Sequence, residues 1–133
     1  MGAWGMGIFE NDDASDWLYE LEVARNSAVL EKALNAVVEN SDQYLEAPDC
    51  TVALAACEIL AALKGKPADS LPEEAETWIQ QHKSIEADEL IILAEAAIER
   101  IRTNSELKEL WEESRDLDEW LKTLDDLLMR LRA

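Results

Sequence analysis

The residues of this 133-residue chain best placed to do chemistry are its carboxylates. Residues 10 to 22 hold Glu10, Asp12, Asp13, Asp16, Glu20 and Glu22, and no Lys or Arg precedes Arg25. Within them D-D-A-S-D puts carboxylates at i and i+4 on one helix face, a spacing with which helical enzymes hold magnesium. Such enzymes need a second acidic motif across a large apolar cavity, and a chain of this length leaves little room for one. The simpler reading is a helix start whose acids suit the positive end of the dipole. Glu73 with Glu76 and Glu86 with Glu89 imitate the paired E-x-x-E motifs of magnesium-dependent nucleotide hydrolases, while Glu95 with Glu99 and Glu109 with Glu112 are further carboxylate pairs at helical spacing. Nineteen glutamates, however, produce pairs at that spacing by chance.

Nucleophilic chemistry is less well provided for. The lone His82 lies in a polar Q-Q-H-K stretch, reads as a surface residue, and offers no imidazole to activate a serine or cysteine. Cys50 and Cys57 are seven residues apart in a helical segment, about 10 Å along the axis, too far for a disulfide. They read as buried free thiols suited to a reducing compartment, with no ligand spacing for zinc. Gly2, Gly5 and Gly7 form G-x-x-G-x-G, but no strand precedes it and the acids that follow repel phosphate. These residues lead us to assign no catalytic group, no metal and no cofactor, and to expect a protein that is not an enzyme.

The elements that position these residues are helices. The opening M-G-A-W-G-M-G-I-F-E, residues 1–10, is not helical in pattern; Trp4, Met6, Ile8 and Phe9 are apolar enough to hold it on a core as an ordered arm. Asn11 or Asp12 caps a first helix with Ala14, Trp17, Leu18, Leu21 and Ala24 on its stripe. A second starts near Ser27, turns Val29, Leu30, Ala33, Leu34 and Val37 inward, and stops at Asn40, Ser41 and Asp42. Pro48 opens a third, which carries only Glu58 as a charge beyond Thr51 and ends with Gly65 at C′; apolar nearly all round, it belongs in the middle of a bundle. A short acidic helix anchored by Trp78 and Ile79 follows, then a long one capped by Ser84, a second candidate for a central place. Thr103 with Glu106 predicts a capping box for the next helix, and Asp116 with Glu119 another for the last. The fold class is therefore all-α, a compact bundle of six or seven helices behind a Gly/Trp-rich arm, with residues 1–133 as one domain. Trp17, Trp111 and Trp120 read as core, whereas Trp4 and Trp78 could anchor a surface contact.

Composition narrows the partners. Thirty acidic side chains against 12 basic ones give a net charge of -18, which argues against direct binding of nucleic acid or anionic lipid. No apolar run is long enough to span a membrane, and no signal peptide is evident, so a cytoplasmic location is expected.

The opening M-G-A-W-G-x-G-x-F-x-N-D-D-A-x-D-W, Met1 to Trp17, resembles an uncharacterised bacterial family, one of the domains of unknown function, whose small acidic members share it. The stretches A-A-C-E-I-L-A-A-L-K-G, L-P-E-E-A-E-T-W-I and S-E-L-K-E-L-W-E-E are similar to it too. The resemblance implies no activity and singles out Trp4, Gly5, Gly7, Phe9, Asn11, Asp12, Asp13, Asp16 and Trp17 as candidate binding residues, which a structural role as an anchored arm on a capped helix would equally explain. The function expected is that of a non-enzymatic acidic helical binding protein of the immunity or inhibitor kind, recruited by a basic protein partner through long-range attraction. The alternative is a magnesium-dependent helical hydrolase using the paired carboxylates.

Overall fold

The computed structural model describes residues 8–9, 11–39, 44–68 and 71–133. Among the described residues the fold is an all-α bundle of seven helices: α1 (Asp12–Val23), α2 (Ala28–Val38), α3 (Ala47–Leu63), α4 (Glu73–Gln81), α5 (Asp88–Thr103), α6 (Glu106–Ser114) and α7 (Leu117–Arg132). Of the expected arm, Trp4, Gly5, Met6, Gly7 and Glu10 lie outside the described residues, as do Asn40, Ser41 and Asp42, the expected stop of α2. Ile8 and Phe9 pack, half-buried, against the core.

The α3 helix packs against all six others. Its sequence makes that place obligatory: Ala53 through Ala62 are all buried, including the one charge among them, Glu58, and an apolar surface all round a helix is covered only when neighbours surround it. Small Ala and Cys side chains let several helices approach one axis. Pro48 stands at the second helical position, after Ala47. At the other end Gly65 adopts φ +89°; the Lys66 N–H donates to Ala61 O and the Gly65 N–H to Ala62 O, both at 2.9 Å, the paired bonds of a Schellman ending that a Cβ at C′ would disfavour.

The α5 helix, expected to be central as well, is not. It packs on α2, α3, α6 and α7 but leaves Ile92 74% exposed, so its apolar run covers the core with one face only. Three caps also differ from expectation. Ala87, not Ser84, precedes α5, and no side chain caps it. Asp116 precedes α7 without a side-chain bond. The cap of α6 is Ser105, whose Oγ accepts from the Lys108 N–H at 3.1 Å and donates to Ile101 O at 2.7 Å. Thr103 is still inside α5, and its hydroxyl donates back to Glu99 O. Glu106, freed from the expected box, accepts the Ala47 N–H at 2.7 Å, satisfying an orphan donor at the start of α3.

Candidate functional site

Two regions concentrate polar chemistry, one inside the bundle and one on its surface. The inner one is the ion pair between Glu58 on α3 and Arg130 on α7. The guanidinium meets the carboxylate with two bonds, of 2.7 and 3.1 Å, and donates through Nε to Asp126 at 2.8 Å. Side-chain exposure is 5% for Glu58 and 14% for Arg130. Burial alone lowers the Arg130 pKa, but bonding to Glu58 and then Asp126 outweighs it and the net shift is upward. The two side chains thus satisfy each other's hydrogen-bonding groups, as a forked Arg–carboxylate pair does. With every partner internal, this pair is architectural. Sequence reasoning noticed Glu58 as the lone charge of α3 beyond Thr51 and missed its partner; the missing signal is that a carboxylate in an apolar helix demands a cation from somewhere.

The outer region is the free face of α1. Ala14, Trp17, Leu18 and Leu21 are buried, which leaves Asp12, Asp16, Tyr19 and Val23 on the outward stripe at i, i+4, i+7 and i+11, flanked by Asp13, Glu20 and Glu22. Tyr19 is 68% and Val23 79% exposed. Five carboxylates and two large apolar side chains therefore share one exposed helix face that contains no cation. Beside it, Glu22 joins Glu73, Glu74, Thr77 and Gln81 of α4 around a groove of about 460 Å³ floored by Trp78, which extends the acidic surface from α1 onto α4.

The predicted site residues divide accordingly. Asn11 resolves the open choice of cap: its Oδ1 accepts the Ala14 N–H at 2.8 Å and its Nδ2 donates to Ile8 O at 2.9 Å, so one side chain both starts α1 and ties the preceding residues to it. Trp17 is buried and Phe9 half-buried, whereas Asp12, Asp13 and Asp16 face solvent. Trp4, Gly5 and Gly7 lie outside the described residues. Trp78 is not a surface anchor: it is 2% exposed, and its indole N–H donates to Ala24 O at 3.1 Å. Nor is His82 simply a surface residue; it stacks on Trp78 with ring centroids 4.2 Å apart and holds Nδ1 2.8 Å from Trp78 O. Trp111 and Trp120 are core and stack on each other.

Among the described residues no group of three or more His, Cys, Asp or Glu side chains is placed to hold a metal ion. Glu73 and Glu76 lie on α4, Glu89 on α5 and Glu86 ahead of it. Several of the other paired glutamates meet protein partners instead: Glu95 faces Arg132, Glu99 faces Arg102, Glu112 faces Lys108, and Glu109 accepts from the Tyr44 hydroxyl. Cys50 and Cys57 are free and buried. Burial pushes the Cys50 thiol up to about 12 and the Cys57 thiol further in the same direction, which removes the thiolate needed for reactivity. No helix among the described residues is long and apolar enough to cross a membrane.

Fold and surface together define an acidic all-α bundle whose buried side-chain nitrogen and oxygen atoms, among the described residues, all have hydrogen-bond partners. The family described as a domain of unknown function, DUF4259, matches residues 2–123, and the chain belongs to it. No curated protein and no solved structure matches the chain.

Proposed function

We propose that this chain is an acidic helical binding protein that docks a basic protein partner along the outward face of α1. The observation that carries the reading is the placement of Tyr19 and Val23, both strongly exposed, among Asp12, Asp16, Glu20 and Glu22. The carboxylates supply long-range attraction and raise the encounter rate with a cationic protein; the aromatic and aliphatic side chains supply apolar contact once water is excluded. A net charge of -18 reinforces the attraction. Neutralising a basic protein, as an immunity protein or inhibitor does, is the role that fits such a surface.

The test compares proteins captured by the wild type, by Tyr19→Ser/Val23→Ser and by Met129→Ser, a control exposed on α7. The expected outcome is a basic protein retained by the wild type and the α7 control, lost from the α1 variant, and released as salt rises from about 50 to about 500 mM because exposed charges are screened beyond about 8 Å at physiological ionic strength. Equal retention by all three proteins, or binding indifferent to salt, overturns the assignment to α1.

A further inference from the structure

The negative charge is not spread evenly, and the exception lies on the side of the bundle formed by α5 and α7. Glu95 meets Arg132 at 3.4 Å and Arg102 meets Asp125 at 2.9 Å. Sequence positions that rise along α5 fall along α7, so the helices run antiparallel with their ion pairs along the seam. Along this seam Arg102 and Arg132 answer Glu95, Glu99 and Asp125, and Lys122 pairs with Glu119 on its own helix. This face is locally close to neutral on a protein of charge -18. It also presents two of the large exposed apolar side chains, Ile92 at 74% and Met129 at 64% exposure, with Ala96 exposed on the same side of α5 as Ile92. A shallow groove of about 550 Å³ runs between the helices beside Met129.

We infer that this face is where two copies of the chain associate, α5 and α7 of one against α5 and α7 of the other. The occupant follows from charge. A basic partner is drawn to the carboxylate-rich face of α1, a helix that carries no Lys or Arg of its own. A second copy, equally acidic, is repelled by the carboxylate-rich face of α1 and less so where arginines already match the carboxylates, and there Ile92, Ala96 and Met129 offer it apolar contact. A two-fold arrangement repeats each contact by symmetry. Each helix has 16 residues, so the face is about 24 Å long and two helices, about 20 Å, broad. That is roughly 500 Å² per copy, in the range of transient interfaces, so the dimer forms reversibly and at high concentration.

The two surfaces respond to salt in opposite directions, which separates this inference from the function proposed above. Added salt weakens a basic partner's attraction to α1, but it screens the mutual repulsion of two acidic copies and strengthens their pairing. Sedimentation equilibrium of the full chain, from about 5 µM to about 1 mM, should show the weight-average mass rising from 15.0 kDa towards twice that value, with the rise moving to lower protein concentration as salt increases from about 50 to about 500 mM. Ile92→Glu/Met129→Glu should hold the mass at 15.0 kDa throughout while leaving the helical circular dichroism unchanged, because both positions are exposed. Tyr19→Ser/Val23→Ser should dimerise as the wild type does. A wild type that stays monomeric across the range, an association that weakens with salt, or a dimer untouched by the glutamate pair overturns the inference. The last two results would point respectively to head-to-tail contact of acidic and basic surfaces and to a different face.

Discussion

Replacing Arg130 with Met tests whether the Glu58 pair is as deeply integrated as its geometry indicates. The substitution keeps most of the aliphatic bulk and removes the side chain that holds Glu58 with two hydrogen bonds, Glu58's own side chain being 5% exposed. Stranding a buried charge by removing its partner costs about 3 to 5 kcal/mol. Arg130 itself is 14% exposed, so some water can reach the stranded carboxylate, and about 3 kcal/mol is the expected loss. For a chain of this length that lowers Tm by about 9 to 15 °C, and urea unfolding followed by circular dichroism should show the same deficit with an unchanged m value. The companion variant Glu58→Met/Arg130→Met leaves no charge stranded and fills the space with apolar atoms; it should lie within about 1 kcal/mol of the wild type. The cycle is then strongly non-additive, since Glu58→Met alone strands Arg130 less severely, with Asp126 and Lys66 O still within its reach at 2.8 and 3.3 Å. A loss below about 0.5 kcal/mol for Arg130→Met, typical of surface pairs, or a double variant as unstable as the sum of the singles, would refute the reasoning.

Asn11→Ala should cost about 1 kcal/mol in the same assay, the usual value of an N-cap, whereas Asp16→Asn should be neutral or slightly stabilising, because Asp16 is exposed and sits among like charges; the reverse order would show that the acidic cluster holds something. Gly65→Ala should cost about 1 kcal/mol although its Cβ would meet nothing within 4 Å, since the penalty lies in the backbone at φ +89°, and Gly65→Asn should recover part of it. At pH 8 neither cysteine should react with a disulfide reagent until denaturant is added. Because burial raises both thiols above their ordinary value of 9.0, the folded state binds protons that the unfolded chain releases above that pH, so stability should fall as pH rises past about 9; prompt labelling of the native protein would contradict the central placement of α3.

The helices were legible in the sequence because each buries a stripe at helical spacing, and the central position of α3 followed from its having almost no polar face. What escaped sequence reasoning depended on partners far along the chain. Thr103-x-x-Glu106 and Ser105-x-x-Lys108 are both plausible starts for α6; the choice falls to Ser105 because Thr103 completes α5 and Glu106 is drawn to the Ala47 N–H, 59 residues away. The Trp78 indole looked free to reach a surface until Ala24 O, 54 residues earlier, took its N–H. The α5 run L-I-I-L suggested burial on both sides, but α3 already occupies the centre, and Ile92 is left outside. Of the α1 face, the spacing of Asp12 and Asp16 was visible from the start, while the companionship of Tyr19 and Val23 needed the buried residues to be known first.

The two ends of α3 give the bundle a temporal order. At its start the Ala47 N–H waits for Glu106. Near its end Glu58 waits for Arg130, 72 residues downstream, and Lys64 donates to Leu131 O and, at 2.9 Å, to Ala133 O. Most helical bundles fold rapidly because their contacts are local in sequence; this one closes its centre with contacts of long sequence separation. During synthesis α3, the most apolar helix, emerges well before the segments that cover and clamp it, and for that interval only α1 and α2 can shield its surface. The nascent chain is therefore at its most aggregation-prone midway through translation, and the aspartates and glutamates of α1, already made by then, are placed to keep it dispersed.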